Sequence, residues 1–292
     1  MNETQNKPLL EVEDLRIRFG GNRTGRDAVR GVSFTVGREK LGIVGESGSG
    51  KSQTGRALLR LTPGSATVTA TKMAFRGEYL LKASERRMRE IRGRKISMIL
   101  QDPKFSLNPL MRVGEQIVEA YQVHHKADRP TARSRALEML NSVHIRDPER
   151  VFGLYPHEVS GGMGQRIMIA MMLIPEPDII IADEPTSALD VTVRRQVLSV
   201  LDELVEARGT GLVLISHDLN LVASFCDRIL VMYAGRVLEE IEAKNLRNAQ
   251  HPYTRSLLES LPRLDRETDI LRVPQRQQSW LDGPVIRPEV AQ

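Results

Sequence analysis

Residues Gly45 to Ser52 read G-E-S-G-S-G-K-S and match the phosphate-loop pattern G-x-x-x-x-G-K-[S/T]. The apolar run Leu41–Val44 before them suits a buried strand, and Gln53–Leu61 after them has helical character. In a strand, glycine loop and helix arrangement, successive backbone N–H groups and the positive end of the helix cradle phosphates. The stretch therefore predicts a nucleoside triphosphate site in an α/β protein.

The chemistry of the pattern gives two of its side chains definite roles. Lys51 is expected to reach the terminal phosphates, and the Ser52 hydroxyl is expected to hold Mg²⁺. The residues that we assign to the nucleotide are Gly45, Glu46, Ser47, Gly48, Ser49, Gly50, Lys51, Ser52 and Gln53.

Composition narrows the possible functions. Aromatic residues make up 4% of the 292 residues, too few to indicate a base-stacking surface, and we expect no direct nucleic-acid partner. The net charge of +5 fits an anionic ligand or a membrane-facing surface and does not decide between them. Cys226 is the single cysteine, which excludes an internal disulfide and any multi-cysteine metal site. No run approaches about 18 apolar residues, so the expected compartment is the cytoplasm.

The pattern of apolar residues gives a coarse fold. Leu9–Phe19 and Ala28–Val36 read as an antiparallel pair of strands, and Thr67–Phe75 reads as a further strand. Between the buried strands predicted at Ile96–Leu100 and Asp178–Ala182, the segments are helical. The predicted fold class is α/β, a phosphate-loop (RecA-like) ATPase core with an antiparallel β subdomain and an all-helical insert at about residues 105–175.

Polar residues follow three of the predicted buried strands. Asp183 ends one strand, where it can hold Mg²⁺ through water, and Glu184 is placed to orient or deprotonate an attacking water. Gln101 and His217 end two others, at the sheet edge where ligands bind. Gln101 would touch Mg²⁺ or the water, and His217 the γ-phosphate. The structural alternatives are that the acids cap a strand and that the histidine has no catalytic role.

A second potential anion site lies about 110 residues after the first. Ser160 is a natural N-cap, and Gly161 and Gly162 let backbone N–H groups face outward from the helix that follows. One nucleotide does not obviously need two such helix ends from a single chain.

Taken together, these segments resemble the ATP-binding cassette family of transporter ATPases. The resemblance covers about residues 9 to 262 and rests on six motifs in register, namely Gly45–Ser52, Gln101, Ser160-Gly161-Gly162, Asp183-Glu184, Ser187–Asp190 and His217. It implies a two-lobed ATPase that binds ATP and Mg²⁺ and forms a head-to-tail dimer. Each nucleotide would then lie between the phosphate loop of one subunit and the signature segment, Ser160 to Met163, of the other.

The resemblance also implies a role for each matched residue. Phe19 would stack on adenine, with core packing as the competing interpretation. Glu184, His217 and Gln101 would be the catalytic residues, and Asp190 would lie on the dimer seam. The residues implied at the metal are Ser52, Gln101 and Asp183, and those of the signature are Ser160, Gly161, Gly162 and Met163.

A narrower resemblance is to the oligopeptide, dipeptide and nickel importer subfamily. It is carried by Q-D-P-x-x-S-L-N-P from Gln101, A-L-D-V-T from Ala188, M-Y-A-G from Met232 and H-P-Y-T from His251. There are two departures. Gly164 stands where a larger polar residue is usual, and the tail has no cysteine, so no iron–sulfur cluster is expected. The domains implied are an ATPase domain at 9–262 and a C-terminal extension of this subfamily at 251–292.

The function expected from these resemblances is that of an ATPase subunit powering an importer for peptides or a related small solute. Its partners would be two membrane-spanning permease subunits, a second ATPase subunit (a related chain or itself) and a separate solute-binding protein. It would lie peripherally at the cytoplasmic face of the inner membrane. The alternative is a soluble cassette ATPase that acts on nucleic acid, the ribosome or an assembly machinery.

Overall fold

The computed structural model describes residues 7–20, 25–103, 106–260, 277–281 and 283–288. The chain divides into two compact units, residues 1–82 with 213–292 and residues 83–212. The strands are β1 Leu10–Phe19, β2 Arg26–Val36, β3 Lys40–Val44, β4 Ala66–Thr69, β5 Lys72–Phe75, β6 Glu78–Tyr79, β7 Ile96–Ile99, β8 Ile179–Asp183, β9 Gly211–Ser216, β10 Arg228–Tyr233 and β11 Arg236–Glu242. The helices are α1 Lys51–Leu58, α2 Glu85–Ile91, α3 Val113–His124, α4 Arg129–Ser142, α5 Pro148–Phe152, α6 Gly161–Leu173, α7 Val191–Arg208, α8 Leu219–Phe225 and α9 Pro252–Glu259.

An antiparallel sheet in the first unit has the strand order β2-β1-β5-β6, with β4 also on β1. The predicted strand at Thr67–Phe75 is wrong, because it is two strands. β4 pairs with Arg16–Phe19 of β1, and β5 pairs with Leu10–Glu13. Between these stretches Asp14 has a φ of 50° and β1 shifts its register against β2. Because such an irregularity bends a strand, one straight partner strand cannot follow β1 along its whole length.

The other strands form the α/β sheet that carries the phosphate loop. In the first unit the order is β11-β10-β3-β9, with β10 and β3 parallel. In the second unit the order is β9-β8-β7, with β7 and β8 parallel; the boundary between the units falls within β9. Every residue of β7, β8 and β9 is buried, as expected for strands covered on both faces.

Helices α3 to α6 lie between β7 and β8 in the chain and form the helical insert. The Asp128 side chain caps α4 by accepting a hydrogen bond from the Thr131 N–H at 3.0 Å, and Pro130 stands in its first turn. A methyl group at Gly114 of α3 would lie 2.1 Å from the Phe152 ring, so that glycine lets α5 approach α3 closely. Phe105, where the insert was expected to begin, lies outside the described residues. Across the described ranges, no helix is both long and apolar enough to cross a membrane.

Helix α8 packs on the strand that leads into the phosphate loop. A methyl group at Gly42 of β3 would lie 2.0 Å from Cγ1 of Val222 and 3.2 Å from the Cys226 sulfur. Val222 is fully buried, and its β-branched side chain has little rotamer freedom with which to move away. The glycine is therefore what allows this helix and strand to touch.

We predict that Gly42→Ala lowers the free energy of unfolding by about 1–3 kcal/mol, because an added methyl overpacks a filled core. Urea unfolding measures the change: the midpoint should fall to a lower urea concentration while the slope of the free energy against urea stays the same. Gly37→Ala is the matched control, since a methyl there meets nothing within 4 Å. Val222→Ala in the Gly42→Ala background should restore part of the loss, so the two changes should be less than additive. Equal midpoints for Gly42→Ala and Gly37→Ala would refute this packing.

Candidate nucleotide-binding and catalytic site

The phosphate loop takes a backbone path that two of its glycines make possible. Gly45 has a φ of 152° and Gly50 a φ of 98°. A methyl group at Gly45 would lie 2.0 Å from the Met232 carbonyl oxygen, and one at Gly50 would lie 2.5 Å from the Ala28 carbonyl oxygen. Both positions combine a left-handed backbone with a neighbouring main chain that cannot easily move. The loop is therefore held between β2 and the end of β10.

Lys51 is the first residue of α1, and 5% of it is exposed. Its Nζ donates hydrogen bonds to the carbonyls of Gly45 at 2.8 Å and Glu46 at 2.9 Å. The ammonium group thus lies inside the curve of the loop. No side chain caps the start of α1, and its first turn carries no acidic residue. A helix end with this composition suits an anion, because neither a competing cap nor a negative charge occupies it.

Two buried polar atoms in this loop region have no hydrogen-bond partner among the described residues. They are the Ser49 hydroxyl and the side-chain oxygen of Gln53. Buried polar groups are normally satisfied, so such orphans suggest a missing ligand or water. The loop residues therefore fit a bound polar group.

A cavity of about 570 Å³ borders the loop at Gly48. Its lining includes the cationic side chains of Arg26 and Arg30 from β2 and Leu281 from the C-terminal part of the chain. Phe19 lies half-buried at the end of β1, paired with Arg26. Its stacking on adenine stays a prediction.

In the second unit, sheet register brings Gln101 and Glu184 together. Ile99 of β7 pairs with Ala182 of β8, so the residues two places further on leave the sheet side by side. The Gln101 amide nitrogen lies 3.5 Å from a carboxylate oxygen of Glu184, a long contact. Asp183, the last residue of β8, is 3% exposed. The Gln101 amide and the Glu184 carboxylate thus meet at the carboxyl edge of parallel strands, where ligands bind, and Asp183 is the residue before Glu184.

Glu184 has a backbone conformation that non-glycine residues rarely adopt. Its φ is 47°, and Pro185 follows it. The Glu184 carbonyl accepts hydrogen bonds from the N–H of Ser187 at 3.3 Å and from its hydroxyl at 3.2 Å. Strained residues persist where the surrounding structure holds them, and they cluster at functional sites. The turn after β8 therefore holds the backbone from which a half-buried carboxylate projects.

Helix α6 begins as the sequence predicts. The Ser160 hydroxyl accepts a hydrogen bond from the Met163 N–H at 3.3 Å, and Ser160 and Gly161 are exposed. A methyl group at Gly162 would lie 2.5 Å from Cγ1 of Val193, so this glycine allows α6 to approach α7. The start of the helix is open to solvent on one side and packed on the other.

The surroundings of this helix start are cationic. Ser160 and Met163 line a cavity of about 750 Å³ together with Arg146, Arg166 and Arg195. Burial and the nearby positive charge of Arg146 lower the pKa of Arg166. This positive charge favours an anion near the exposed N-terminus of α6.

Asp190 and His217 lie at the ends of a turn and a strand. Asp190 caps α7, where its carboxylate accepts from the N–H groups of Thr192 and Val193, both at 3.0 Å. His217 follows β9, is exposed, and precedes Asp218, which caps α8. A role of Asp190 at a dimer seam and of His217 at the γ-phosphate stays a prediction.

Sequence reasoning missed one residue of the loop's surroundings. The Tyr253 hydroxyl accepts a hydrogen bond from the Glu46 N–H at 3.4 Å, although the two residues are 207 positions apart. The one sequence signal for Tyr253 is the H-P-Y-T segment from His251. This segment singles out the tyrosine but does not indicate that it contacts the phosphate loop.

Comparison with known proteins decides the family. A family model described as "ABC transporter" matches residues 29–187. The "Probable peptide ABC transporter ATP-binding protein y4tR" of Sinorhizobium fredii is 48% identical over 271 residues, which are 91% of this chain and 81% of the relative. The chain belongs to the ABC transporter family. Two further relatives of this ABC transporter protein were found. The "Oligopeptide transport ATP-binding protein OppD" of Salmonella typhimurium is 46% identical, over 91% of this chain and 80% of the relative. The "Dipeptide transport ATP-binding protein DppD" of Escherichia coli is 45% identical, over 90% of this chain and 81% of the relative.

Solved structures agree with the family. The dimeric post-hydrolysis state of the ATP-binding cassette MJ0796 bound to ADP and Pi is similar with a TM-score of 0.70 at 26% identity, covering 80% of this chain and 98% of that one. The structure of cbiO1 from Clostridium perfringens also has a TM-score of 0.70, at 25% identity, covering 83% and 92%. The predictions of an ABC ATPase, and of an α/β fold with an antiparallel β part and a helical insert, are confirmed.

Two glycines in the first turn of α6 should respond oppositely to a methyl group. At Gly164 the methyl would meet Pro103 at an ordinary 3.6 Å, so Gly164→Ala should raise stability by about 0.5–1 kcal/mol through helix propensity. At Gly162 it would meet Val193, so Gly162→Ala should lower stability by about 1 kcal/mol or more. Thermal unfolding of the two variants beside the parent protein measures the sign. Shifts in the same direction for both would contradict the described packing of α6.

Proposed function

We propose that this chain is the ATP-hydrolysing subunit that powers an importer of peptides or of a related small solute. The observation that carries the proposal is its likeness, over 90% or more of its length, to oligopeptide and dipeptide transport ATP-binding proteins. No feature of the site and none of the relatives named above favours the alternative of a soluble cassette that acts on nucleic acid or the ribosome.

The residues of the first unit would bind the nucleotide. The loop from Gly45 to Ser52 and Gln53 after it would hold the phosphates, with Lys51 neutralising their charge. The Lys51 ammonium group already lies within the loop, where it donates to the Gly45 and Glu46 carbonyls. Phe19 would face the adenine, and His217 would contact the γ-phosphate.

The residues of the second unit would carry out hydrolysis. Glu184 would orient and deprotonate the attacking water, and its place at the end of β8, on a backbone held by the Ser187 hydrogen bonds, supports this role. Gln101, in contact with that carboxylate, would help to place the water.

Magnesium is the proposed metal cofactor. Ser52, Gln101 and Asp183 offer a hydroxyl, an amide oxygen and a carboxylate, and hard oxygen donors of this kind suit Mg²⁺. The ion, when bound, would neutralise phosphate charge during hydrolysis.

A second ATPase subunit would complete the site. Ser160 and Gly161 are exposed at an open helix end, with Gly162 and Met163 behind them. This end would bind the nucleotide held by the partner, and Asp190 would lie on the seam between the subunits. The partner would be a second copy of this chain or a related chain. Closing and opening of that dimer would drive transport.

The face around α3 and α4 would dock on the membrane-spanning subunits. Leu110 and Val123 are 85% and 70% exposed. Val123 lies beside Met111 and Val118 at a groove of about 380 Å³. Two large exposed apolar side chains, Leu110 beside the groove lining and Val123 within it, support an interaction surface here. Two permease subunits and a separate solute-binding protein are the proposed partners, and the chain would sit peripherally at the cytoplasmic face of the inner membrane.

The proposed domains are the ATPase domain at residues 9–262, with its helical part at about 105–175, and the C-terminal extension at 251–292.

Substitution of the exposed apolar residues at this face by charged ones should uncouple ATP hydrolysis from transport. In cells that supply the permease subunits but lack this chain, the parent protein should restore uptake of a labelled peptide and be recovered with membranes. The double variant Leu110→Asp, Val123→Asp should lose both properties while the purified protein still hydrolyses ATP, because a charge in an apolar interface is costly to bury.

Leu61→Asp is the matched control, because Leu61 is 48% exposed and far in sequence from the proposed face. It should restore uptake like the parent. Recovery of the parent protein in the soluble fraction whether or not the permease subunits are present would contradict the importer assignment.

A further inference from the structure

The C-terminal part of the chain packs beside the phosphate loop through a cluster of four rings. Trp280, the only tryptophan, is 5% exposed, and its ring centroid lies 5.7 Å from Tyr233, 5.5 Å from Tyr253 and 6.2 Å from His251. The Tyr233 and Tyr253 rings lie 4.8 Å apart. Rings at such distances pack edge to face or offset, which is favourable and directional. Tyr253 is therefore enclosed by its neighbours.

Residues 277–281 and 283–288, called here the C-terminal strap, are held on the edge of the sheet. The Arg236 guanidinium donates hydrogen bonds to the Leu281 carbonyl and, at 2.8 Å, to the Gly283 carbonyl. The Ile286 N–H donates to the Leu238 carbonyl at 3.0 Å, and the Glu240 N–H donates to the Ile286 carbonyl at 2.8 Å. The strap is thus bonded to β11 at two places, at Leu281 and Gly283 and again at Ile286, and Trp280 directly precedes the first of them.

The start of α9 is fixed to the same strand. The Glu239 carboxylate, 1% exposed, accepts from the N–H groups of Gln250 at 2.7 Å and His251 at 3.3 Å. His251 Nδ1 in turn accepts from the Tyr253 N–H at 3.1 Å. Burial lowers the pKa of His251, against the opposing effect of the Glu239 charge, and so favours the neutral imidazole whose Nδ1 accepts. The backbone of Tyr253 therefore has a fixed position relative to β11.

Tyr253, held in this position, also contacts the phosphate loop. Its hydroxyl accepts from the Glu46 N–H at 3.4 Å, and the Glu46 carbonyl accepts from Lys51 Nζ at 2.9 Å. On the other side of the loop, the Gly235 N–H donates to the Ser49 carbonyl at 3.0 Å. The peptide groups on both sides of Glu46 are thus oriented, one by Tyr253 and one by the lysine that binds phosphate.

We propose that Tyr253 is a positioning residue for the phosphate loop and that the C-terminal strap, through Trp280, sets ATP affinity by holding Tyr253 in place. The inference rests on the proposed binding of ATP by this loop. It gives the H-P-Y-T segment a role that the proposed ATPase function leaves open. Orientation of the loop before the nucleotide arrives lowers the cost of ordering it on binding.

The variant Tyr253→Phe removes the hydroxyl and keeps the ring in its cluster. We expect its Kd for ATP and its KM to rise about 2- to 5-fold, which is the loss of one modest hydrogen bond. Its kcat should stay near that of the parent, because ground state and transition state lose the contact equally. Equilibrium dialysis with labelled ATP measures Kd, and steady-state phosphate release measures kcat and KM. Tyr79→Phe, at an exposed tyrosine of β6, is the matched control and should change neither.

A double-mutant cycle tests the role of the strap. Trp280→Ala should also raise the Kd for ATP. The Kd is measured at a temperature at which thermal unfolding curves show that every variant is folded. In the Tyr253→Phe background the same change should have almost no effect on Kd, because the route from Trp280 to the loop is already broken. A simple packing role of Trp280 would instead lower the unfolding temperature and leave Kd at the parent value.

The following results would overturn the inference. Parent-like Kd and KM for Tyr253→Phe would remove the positioning role, and so would a fall in kcat with KM unchanged. Equal effects of Trp280→Ala in both backgrounds would show that the strap does not act through Tyr253. A parent protein that binds no ATP would overturn the proposed function and this inference with it, whereas a parent that binds ATP as tightly as Tyr253→Phe would overturn the inference alone.

Discussion

The backbone of the phosphate loop has no room to take another path, and the nucleotide site depends on this constraint. At Gly45 a single added methyl would enter the Met232 carbonyl, and at Gly50 it would enter the Ala28 carbonyl. The loop is thus shaped by main chain from β2 and β10, which side-chain rearrangement cannot relieve. The resulting curve places the Lys51 ammonium between two loop carbonyls. Strand β3, which leads into the loop, packs closely on α8 because Gly42 leaves room for Val222.

The second unit uses backbone constraint in a similar way. Parallel register between β7 and β8 makes Gln101 and Glu184 neighbours, and a left-handed backbone at Glu184 sets where its side chain leaves the chain. At the start of α6, one side of the helix packs on α7 through the close approach of Gly162 to Val193. The other side, with Ser160 and Gly161, faces solvent. In the proposed dimer, these two features serve different nucleotides. That division would make hydrolysis conditional on a partner, which is what a motor coupled to a transporter requires.

Much of this arrangement was predictable, because its signals are local. The buried strands are short apolar runs ended by polar residues, and Ser160 is the cap that the sequence predicts. The split between β4 and β5 was not predictable, because its cause is the backbone of Asp14 on another strand. Helix α8 is seven residues long and buries only Leu219 and Val222, too few positions to show a period. The contact of Tyr253 with Glu46 joins distant parts of the chain and has no local signal.

The most direct test of the ATPase mechanism is hydrolysis by Glu184→Gln, measured as phosphate release together with ATP affinity and size by gel filtration. The proposed mechanism predicts ATP binding like that of the parent, turnover reduced about 100-fold or more, and a dimer that persists with ATP, because a general base typically contributes at least this much. Glu259→Gln, at an exposed carboxylate at the end of α9, should hydrolyse ATP like the parent. Hydrolysis by Glu184→Gln at the parent rate would contradict the assignment of Glu184 as the catalytic carboxylate.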